Sequence, residues 1–364
     1  MKQKNILWRA AVVFAAMTLA LSVFYACGQK TADDLTTTIP DYATEPDSTT
    51  LYGDWFSSTS ELTLPAPDES TTELATFPEE ATAPVAEQSV TAKPSMDITL
   101  GKANPASGLP SGLDPLPERP VTIADPNNAK GLPTKKIEHS FGYAKDEVPH
   151  DISVTNQKFF DDKGYAAITL DQKTPGKVLY LTFDSGYENG NTEKILNTLK
   201  EKGVPAAFFC TTAEMKAVPD LIGRMIKEGH IVGNHSVKHP SFAEIDRTRM
   251  AQEVIEADNY LRTNFGYSAP FFRFPMGEYS ESALDALASL GYYSVFWSLA
   301  YSDWDTANQK GAQNAIDTVM ERIHPGAVIL LHSVSTDNTE ALADIIDAAR
   351  AKGYEFRSLT QFPV

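Results

Sequence analysis

From residue 177 to the C-terminus, short apolar runs alternate with longer stretches whose apolar residues recur at helical spacing, and this restricts the fold more than any other feature. Residues 178–183 (VLYLTF) are apolar almost throughout, as suits a strand covered on both faces. A helix is predicted over 191–202, where Ile195, Leu196 and Leu199 share one face and Gly203 ends the run. Further strands are expected at 206–210, 230–234, 271–274, 292–297, 327–331 and 355–357, and further helices at 219–228, 246–265, 280–290, 311–323 and 339–352. Strict alternation calls for parallel strands joined by crossover helices, an α/β fold. About seven such units closing on themselves make a distorted (β/α)7-type barrel, with chemistry at the C-terminal ends of the strands. An open, doubly wound sheet satisfies the same periodicity.

The N-terminal part is different in kind. Residues 1–27 carry Lys2, Lys4 and Arg9, then an unbroken run of apolar or small residues over 10–26, then Cys27. That order is the order of an export signal peptide. The run is short beside the about 20 apolar residues of a spanning helix, so cleavage is expected rather than retention. Ala26-Cys27-Gly28 resembles the lipobox of bacterial lipoproteins, with Phe24 where Leu is usual, which implies lipid attachment at Cys27, a membrane anchor and a place on the outer face of the cell membrane. Residues 28–100 hold two lysines against 14 carboxylates, with no apolar periodicity, too little apolar surface to offset the entropy of ordering. Pro and Gly remain frequent to 133, so 28–133 is expected to be a disordered acidic Thr/Ser/Pro-rich linker. Residues 134–176 are then an N-terminal extension of the domain at 177–364. The net charge of −17 argues against nucleic acid as a partner, and two cysteines exclude both a disulfide scaffold and a cysteine metal site.

In the folded part, unusual polar residues fall just after the predicted strands: Asp184, His235, Arg273, Asp303 with Trp304, and His332. In a barrel these places converge on one mouth. His235 and His239 form an H-x-x-x-H pair, a spacing that puts two imidazoles on one face of a helical turn and suits a divalent metal. Pro240 ends such a turn at His239. Asp184 reads either as a helix N-cap or as a general base beside an activated water. Arg273 is an ordinary ion-pair partner or the group that keeps Asp184 ionised. Trp304 completes the rim or offers a platform for a sugar ring.

Together these positions resemble the polysaccharide deacetylase family, the carbohydrate esterases of family 4 with a NodB homology domain. The match runs from about residue 177 to 362, and five motifs occur in order: Thr182-Phe183-Asp184-Ser185-Gly186, His235-Ser236-Val237-Lys238-His239, Arg273-Phe274-Pro275-Met276-Gly277, Ser302-Asp303-Trp304 and Leu330-Leu331-His332. The longer strings TFDSGYENG at 182–190, VFWSLAYSDWDTANQK at 295–310 and HPGAVILLHSVSTDN at 324–338 look like the PdaA-like, delta-lactam-biosynthetic subgroup. The resemblance implies hydrolysis of N-acetyl groups on peptidoglycan amino sugars, N-acetylmuramic acid in particular, on the way to the muramic delta-lactam of spore cortex. It implies a divalent cation on His235 and His239, Asp184 as base oriented by Arg273, and His332 as acid. Met276 would contribute a backbone N–H to an oxyanion site, Leu330 and Trp304 would shape the acetyl pocket and cleft, and Asp303 would tune His332 or Arg273. The general family has a second aspartate, a metal ligand, where this chain has Ser185, and the subgroup itself carries Asn there. Two other readings remain: a deacetylase of chitin-like N-acetylglucosamine glycans, and a catalytically silent glycan-binding module on the same fold.

Overall fold

The computed structural model describes residues 89–364, and these belong to one compact unit. Along the chain the elements are β1 (Thr99–Leu100), β2 (Ile137–Glu138), α1 (Asp151–Lys163), β3 (Ala167–Ile168), β4 (Val178–Ser185), α2 (Thr192–Lys202), β5 (Ala206–Cys210), α3 (Thr212–Ala217), α4 (Pro219–Lys227), β6 (Ile231–Asn234), α5 (Arg247–Phe265), β7 (Tyr267–Ser268), β8 (Phe271–Phe272), β9 (Glu278–Tyr279), α6 (Glu281–Ser289), β10 (Tyr293–Val295), α7 (Ala312–Arg322), β11 (Ala327–His332), α8 (Thr336–Ala351) and β12 (Glu355–Phe356).

The principal sheet has eight strands in the order β11-β4-β5-β6-β8-β10-β3, with β12 on the first residues of β4. Every pairing in it is parallel. β4 is the spine, buried at every position except Asp184, which explains why its sequence lacks the apolar–polar alternation of a half-exposed strand. Past β10 the chain turns back on the far edge: Leu299 bridges Ile329 in β11, and Ser298 N–H bonds Val328 C=O at 3.0 Å. The sheet therefore curls into a distorted (β/α)7-type barrel, and the open-sheet alternative falls away. One apolar cluster lies between the strands and α2, α4, α5, α7 and α8, and a second gathers Phe160, Phe242, Phe272, Phe274 and Phe296 beside α1, α5 and α6. Truncating one of these phenylalanines would cost about 3–5 kcal/mol.

Several boundaries differ from expectation for local reasons. α8 starts at Thr336 rather than 339, because the Ser335 side chain accepts from Asn338 N–H and fixes the start. α1 carries little apolar periodicity and escapes a pattern search, yet it is capped at both ends, by His150 and by Gly164 in the left-handed region.

The larger correction concerns the linker expected over 28–133. Residues 89–133 lie against the barrel: β1 pairs antiparallel with β7, Leu116 N–H bonds Arg262 C=O at 2.8 Å, Ser111 Oγ donates to Phe265 C=O at 2.6 Å, and Thr91 N–H donates to Asp285 at 2.6 Å. Backbone groups and single polar side chains hold this strap, so it needs none of the apolar periodicity whose absence suggested disorder. The signal peptide, Cys27 and the linker up to residue 88 lie outside the described residues. Among the described residues no helix is long and apolar enough to cross a membrane.

Candidate active site

Asp184 and Thr182 project from the same face of β4 and meet Arg273, which follows β8. Arg273 is fully buried and donates through Nη1 to Asp184 Oδ1 at 2.8 Å, through Nη2 to Thr182 Oγ1 at 2.9 Å and through Nε to Val295 C=O at 3.0 Å. Its guanidinium also lies over the Phe209 ring, 4.2 Å from the centroid. Burial alone would raise the Asp184 carboxyl, but the charge and hydrogen bond of Arg273, with the charge of His332, outweigh it and hold Asp184 below the usual carboxylate range. Asp184 is therefore an oriented, ionised carboxylate and not a helix cap.

Directly opposite Asp184 in the β4–β11 register stands His332, the last residue of β11. Its Nδ1 meets Asp303 Oδ1 at 2.7 Å, and its backbone N–H bonds the other oxygen, Oδ2, also at 2.7 Å. Asn338, in the first turn of α8, donates to the same Oδ2 and takes a bond from Tyr301 OH. Burial would lower the His332 pKa, but the charge and hydrogen bond of Asp303 prevail and raise it above the ordinary histidine value. The ring so holds its proton more tightly than a free imidazole does, and of the two partners expected for Asp303 it is His332, not Arg273, that it binds.

His235 and His239 follow β6, but not on a helical turn. The segment is an irregular loop in which Ser236 (φ 70°) and His239 (φ 56°) both sit in the left-handed region. Side chains replace helical hydrogen bonds: Asn234 Oδ1 accepts from Ser236 N–H, Ser236 Oγ from His239 N–H, and Glu253 Oε2 from both Val237 and Lys238 N–H. The loop folds the rings together edge to face, with Nε2 to Nε2 at 3.0 Å, and His235 Nε2 lies 3.7 Å from Asp184 Oδ2.

Residues 171–295 match the family profile described as polysaccharide deacetylase. The peptidoglycan-N-acetylmuramic acid deacetylase PdaA of Bacillus subtilis (strain 168) is 39% identical over 232 residues, 64% of this chain and 87% of that protein. The chain belongs to the polysaccharide deacetylase family. The solved structure of B. subtilis PdaA, a family 4 carbohydrate esterase, superposes with a TM-score of 0.60 over 64% of this chain and 98% of that one. A chitooligosaccharide deacetylase of Sinorhizobium fredii (strain NBRC 101917 / NGR234) is 34% identical over 50% of this chain and 90% of its own length. The chain is accordingly a carbohydrate deacetylase, a hydrolase.

Polysaccharide deacetylases of this family use a divalent metal, and the histidine pair is chemically suited to one. Arg273 C=O faces His235 Nδ1 at 2.9 Å, which places the ring proton there and leaves the Nε2 lone pair free to bind, the usual support for a metal-binding imidazole. Burial lowers the pKa of both rings, His239 to about 3, so both stay neutral and able to bind. A third ligand is harder to find. Ser185 points to the opposite face of β4 from Asp184, where its Oγ meets Ser333 Oγ at 3.0 Å. Among the described residues no group of three or more His, Cys, Asp or Glu is placed to hold a metal. The pair therefore fits a cation that two imidazole nitrogens would hold.

The other expected residues take varied places. Met276 sits in the turn after Arg273 with φ 57° and is 36% exposed at the mouth. Leu330, buried in β11, pairs with Thr182. Trp304 is half-buried in the loop after Asp303. Cys210 is buried apolar core at the end of β5. Sequence reasoning missed Thr182 as an Arg273 ligand, Glu253 as the clamp of the histidine loop and Asn338 behind Asp303. Thr182 and Asn338 lay inside strings already singled out, whereas Glu253 is a mid-helix residue with no local signal.

Proposed function

We propose that the chain removes acetyl groups from N-acetylated amino sugars of peptidoglycan, N-acetylmuramic acid foremost. The observation that carries this reading is the pairing, across one step of the β4–β11 ladder, of the Arg273-bound Asp184 carboxylate with the Asp303-bound His332 imidazole. Similarity to PdaA over 87% of that protein's length supports the choice of sugar.

A water beside Asp184 gives up a proton to the carboxylate as its oxygen attacks the acetyl carbonyl carbon. A cation on His235 and His239 would supply polarisation of that carbonyl. Arg273, anchored on Thr182 and Val295, keeps Asp184 in one orientation and ionised between turnovers. The negative charge that forms on the carbonyl oxygen is met by the Met276 N–H. His332 then passes its proton to the sugar nitrogen as the C–N bond breaks, and Asp303 stabilises the protonated ring before transfer. Leu330 and Trp304 shape the acetyl pocket and cleft wall. Acetate and a free amine leave, and on muramic acid that amine stands beside the lactyl carboxyl with which a delta-lactam closes. Export and lipid attachment at Cys27 would put this chemistry on the wall side of the membrane, the extension at 134–176 and the domain at 177–364 acting together.

The decisive experiment compares acetate release by the full chain from peptide-free peptidoglycan strands, intact peptidoglycan and chitin oligomers. Release chiefly from the first is expected. Preference for chitin oligomers would transfer the reading to N-acetylglucosamine glycans. Because Ser185 faces Ser333 and not the histidine pair, a silent glycan-binding module is the second reading; tight binding with no acetate from any of the three would establish it.

A further inference from the structure

Arg273 grips Asp184, and Arg273 is itself held along one short run of backbone. Its Nε donates to Val295 C=O at 3.0 Å, its Nη2 to Phe296 C=O at 3.4 Å, and the Trp297 ring lies 5.6 Å from the guanidinium carbon. Three successive residues thus form the wall against which Arg273 is set. The third carbonyl of the run, that of Trp297, accepts two bonds from the extension at 134–176: Thr169 Oγ1 donates at 2.8 Å, and His139 Nε2 meets it at 2.8 Å.

β2 brings His139 to this place. It pairs antiparallel with β9, immediately after the Arg273–Gly277 turn, and His139 N–H bonds Gly277 C=O at 3.0 Å. Gly277 permits the approach: at φ +69° a Cβ would lie 2.9 Å from the Trp297 ring and 3.3 Å from His139 Cβ. The imidazole stacks on Phe296 at 4.7 Å and meets Trp297 edge to face at 4.9 Å. Its Nδ1 is shut off from solvent with no hydrogen-bond partner, a cost that a leucine among these rings would not carry. Burial first, and with it the charge of Arg273, outweigh the Trp297 bond and lower the His139 pKa to about 4. The ring is therefore neutral, and since a carbonyl only accepts, its one proton is on Nε2. It can brace Trp297 without setting a second positive charge beside Arg273. The indole Nε1 also has no partner, so Trp297 is placed by its backbone and its neighbours and not by a bond of its own.

We propose that His139, a residue outside the five motifs, is a positioning residue for the reaction: its bond to Trp297 C=O holds residues 295–297 against Arg273, and so keeps Asp184 in its reacting orientation. The role of Asp184 rests on the function proposed above; the hold on Arg273 does not.

The test uses the full chain and two readouts. The Arg273 Nε–H, buried and bonded to Val295 C=O, should give a slowly exchanging signal in a proton–nitrogen NMR spectrum, identified by its loss in Arg273→Lys. His139→Leu is expected to speed that exchange by about tenfold or more. It should also lower kcat for acetate release from peptide-free peptidoglycan strands by about tenfold with KM unchanged, because Asp184 and not the sugar is displaced. His139→Gln, which puts an amide N–H near the place of Nε2, should restore both. Where His139→Leu does not fold, Thr169→Val replaces it, removing the other donor to Trp297 C=O at nearly constant shape, with smaller shifts of the same kind. Unchanged exchange, unchanged kcat, or equal losses in the Leu and Gln variants would each overturn the proposal. Faster exchange that Gln reverses supports the hold on Arg273 even where the wild-type chain releases no acetate, a result that would sink the deacetylase reading alone.

Discussion

On the β4, β8 and β11 side of the barrel mouth each buried charge meets an opposite charge or a matched donor: Asp184 with Arg273, His332 with Asp303. On the β5 and β6 side the balance is weaker, and His235 reaches Asp184 only at 3.7 Å. His235 and His239 face each other as neutral rings, and Glu214 in α3 is 1% exposed with neither carboxylate oxygen hydrogen-bonded. Under the proposed function the first side moves protons with what it already contains. The second would be completed from outside, by a cation at the histidines.

The most severe way to break the complete side is Asp184→Asn. Asparagine keeps a hydrogen-bond acceptor for Arg273, so the barrel should stay folded, whereas an alanine would strand a buried guanidinium at about 3–5 kcal/mol. Acetate release at saturating substrate should fall by about 10³-fold or more, with the melting temperature little changed. A variant with more than a tenth of wild-type activity would remove Asp184 from the role of base.

Asp303→Asn acts on the other proton carrier and should cost about 10²-fold. It has a signature that simple damage lacks. His332 must be protonated to act as acid, so activity falls as pH rises through its pKa. Asp303 is what raises that pKa, and without it the alkaline limb of the pH–rate profile should move to lower pH. An unmoved limb would show that some other group sets it.

What could be read from the amino acids follows the same division. The barrel was legible because β4, β5 and β11 are apolar along most of their length and the helices between them are amphipathic. Asp184, Arg273 and His332 were legible because a lone charge at the end of such a strand stands out. The histidine loop was not: i,i+4 spacing suggests a helical turn, but Pro240 and two left-handed residues replace it, under the control of Glu253 on another element. The strap at 89–133 was missed because hydrogen bonds to α5, β7 and α6 leave no periodic trace.

Glu214 provides a test of the incomplete side through stability. Burial first, and then the nearby charge of Glu188, push its pKa up to about 7 from an unfolded value of 4.5. A raised acid pKa means the folded state holds the proton longer. The associated stability is full below pH 4.5 and is lost as pH rises toward 7. Glu214→Gln, which stays neutral, should match wild type at pH 4 and exceed it by about 2–3 kcal/mol above pH 7, read from denaturant unfolding at both pH values. Equal stability at high pH would mean that Glu214 finds a cation or other partner there.

The smallest effect is expected where the family's usual second aspartate is absent. If the Ser185 side chain were a surrogate ligand, removing its hydroxyl would weaken metal binding as removal of any ligand does. In this barrel the hydroxyl faces Ser333, on the side of β4 turned away from Asp184 and the two rings. Ser185→Ala should therefore leave the Zn²⁺ dissociation constant within about twofold in a calorimetric titration, whereas loss of a supporting group usually costs 10–100-fold. A tenfold drop in affinity would bring Ser185 back to the histidines, and with it a third donor that would make the two halves of the mouth alike.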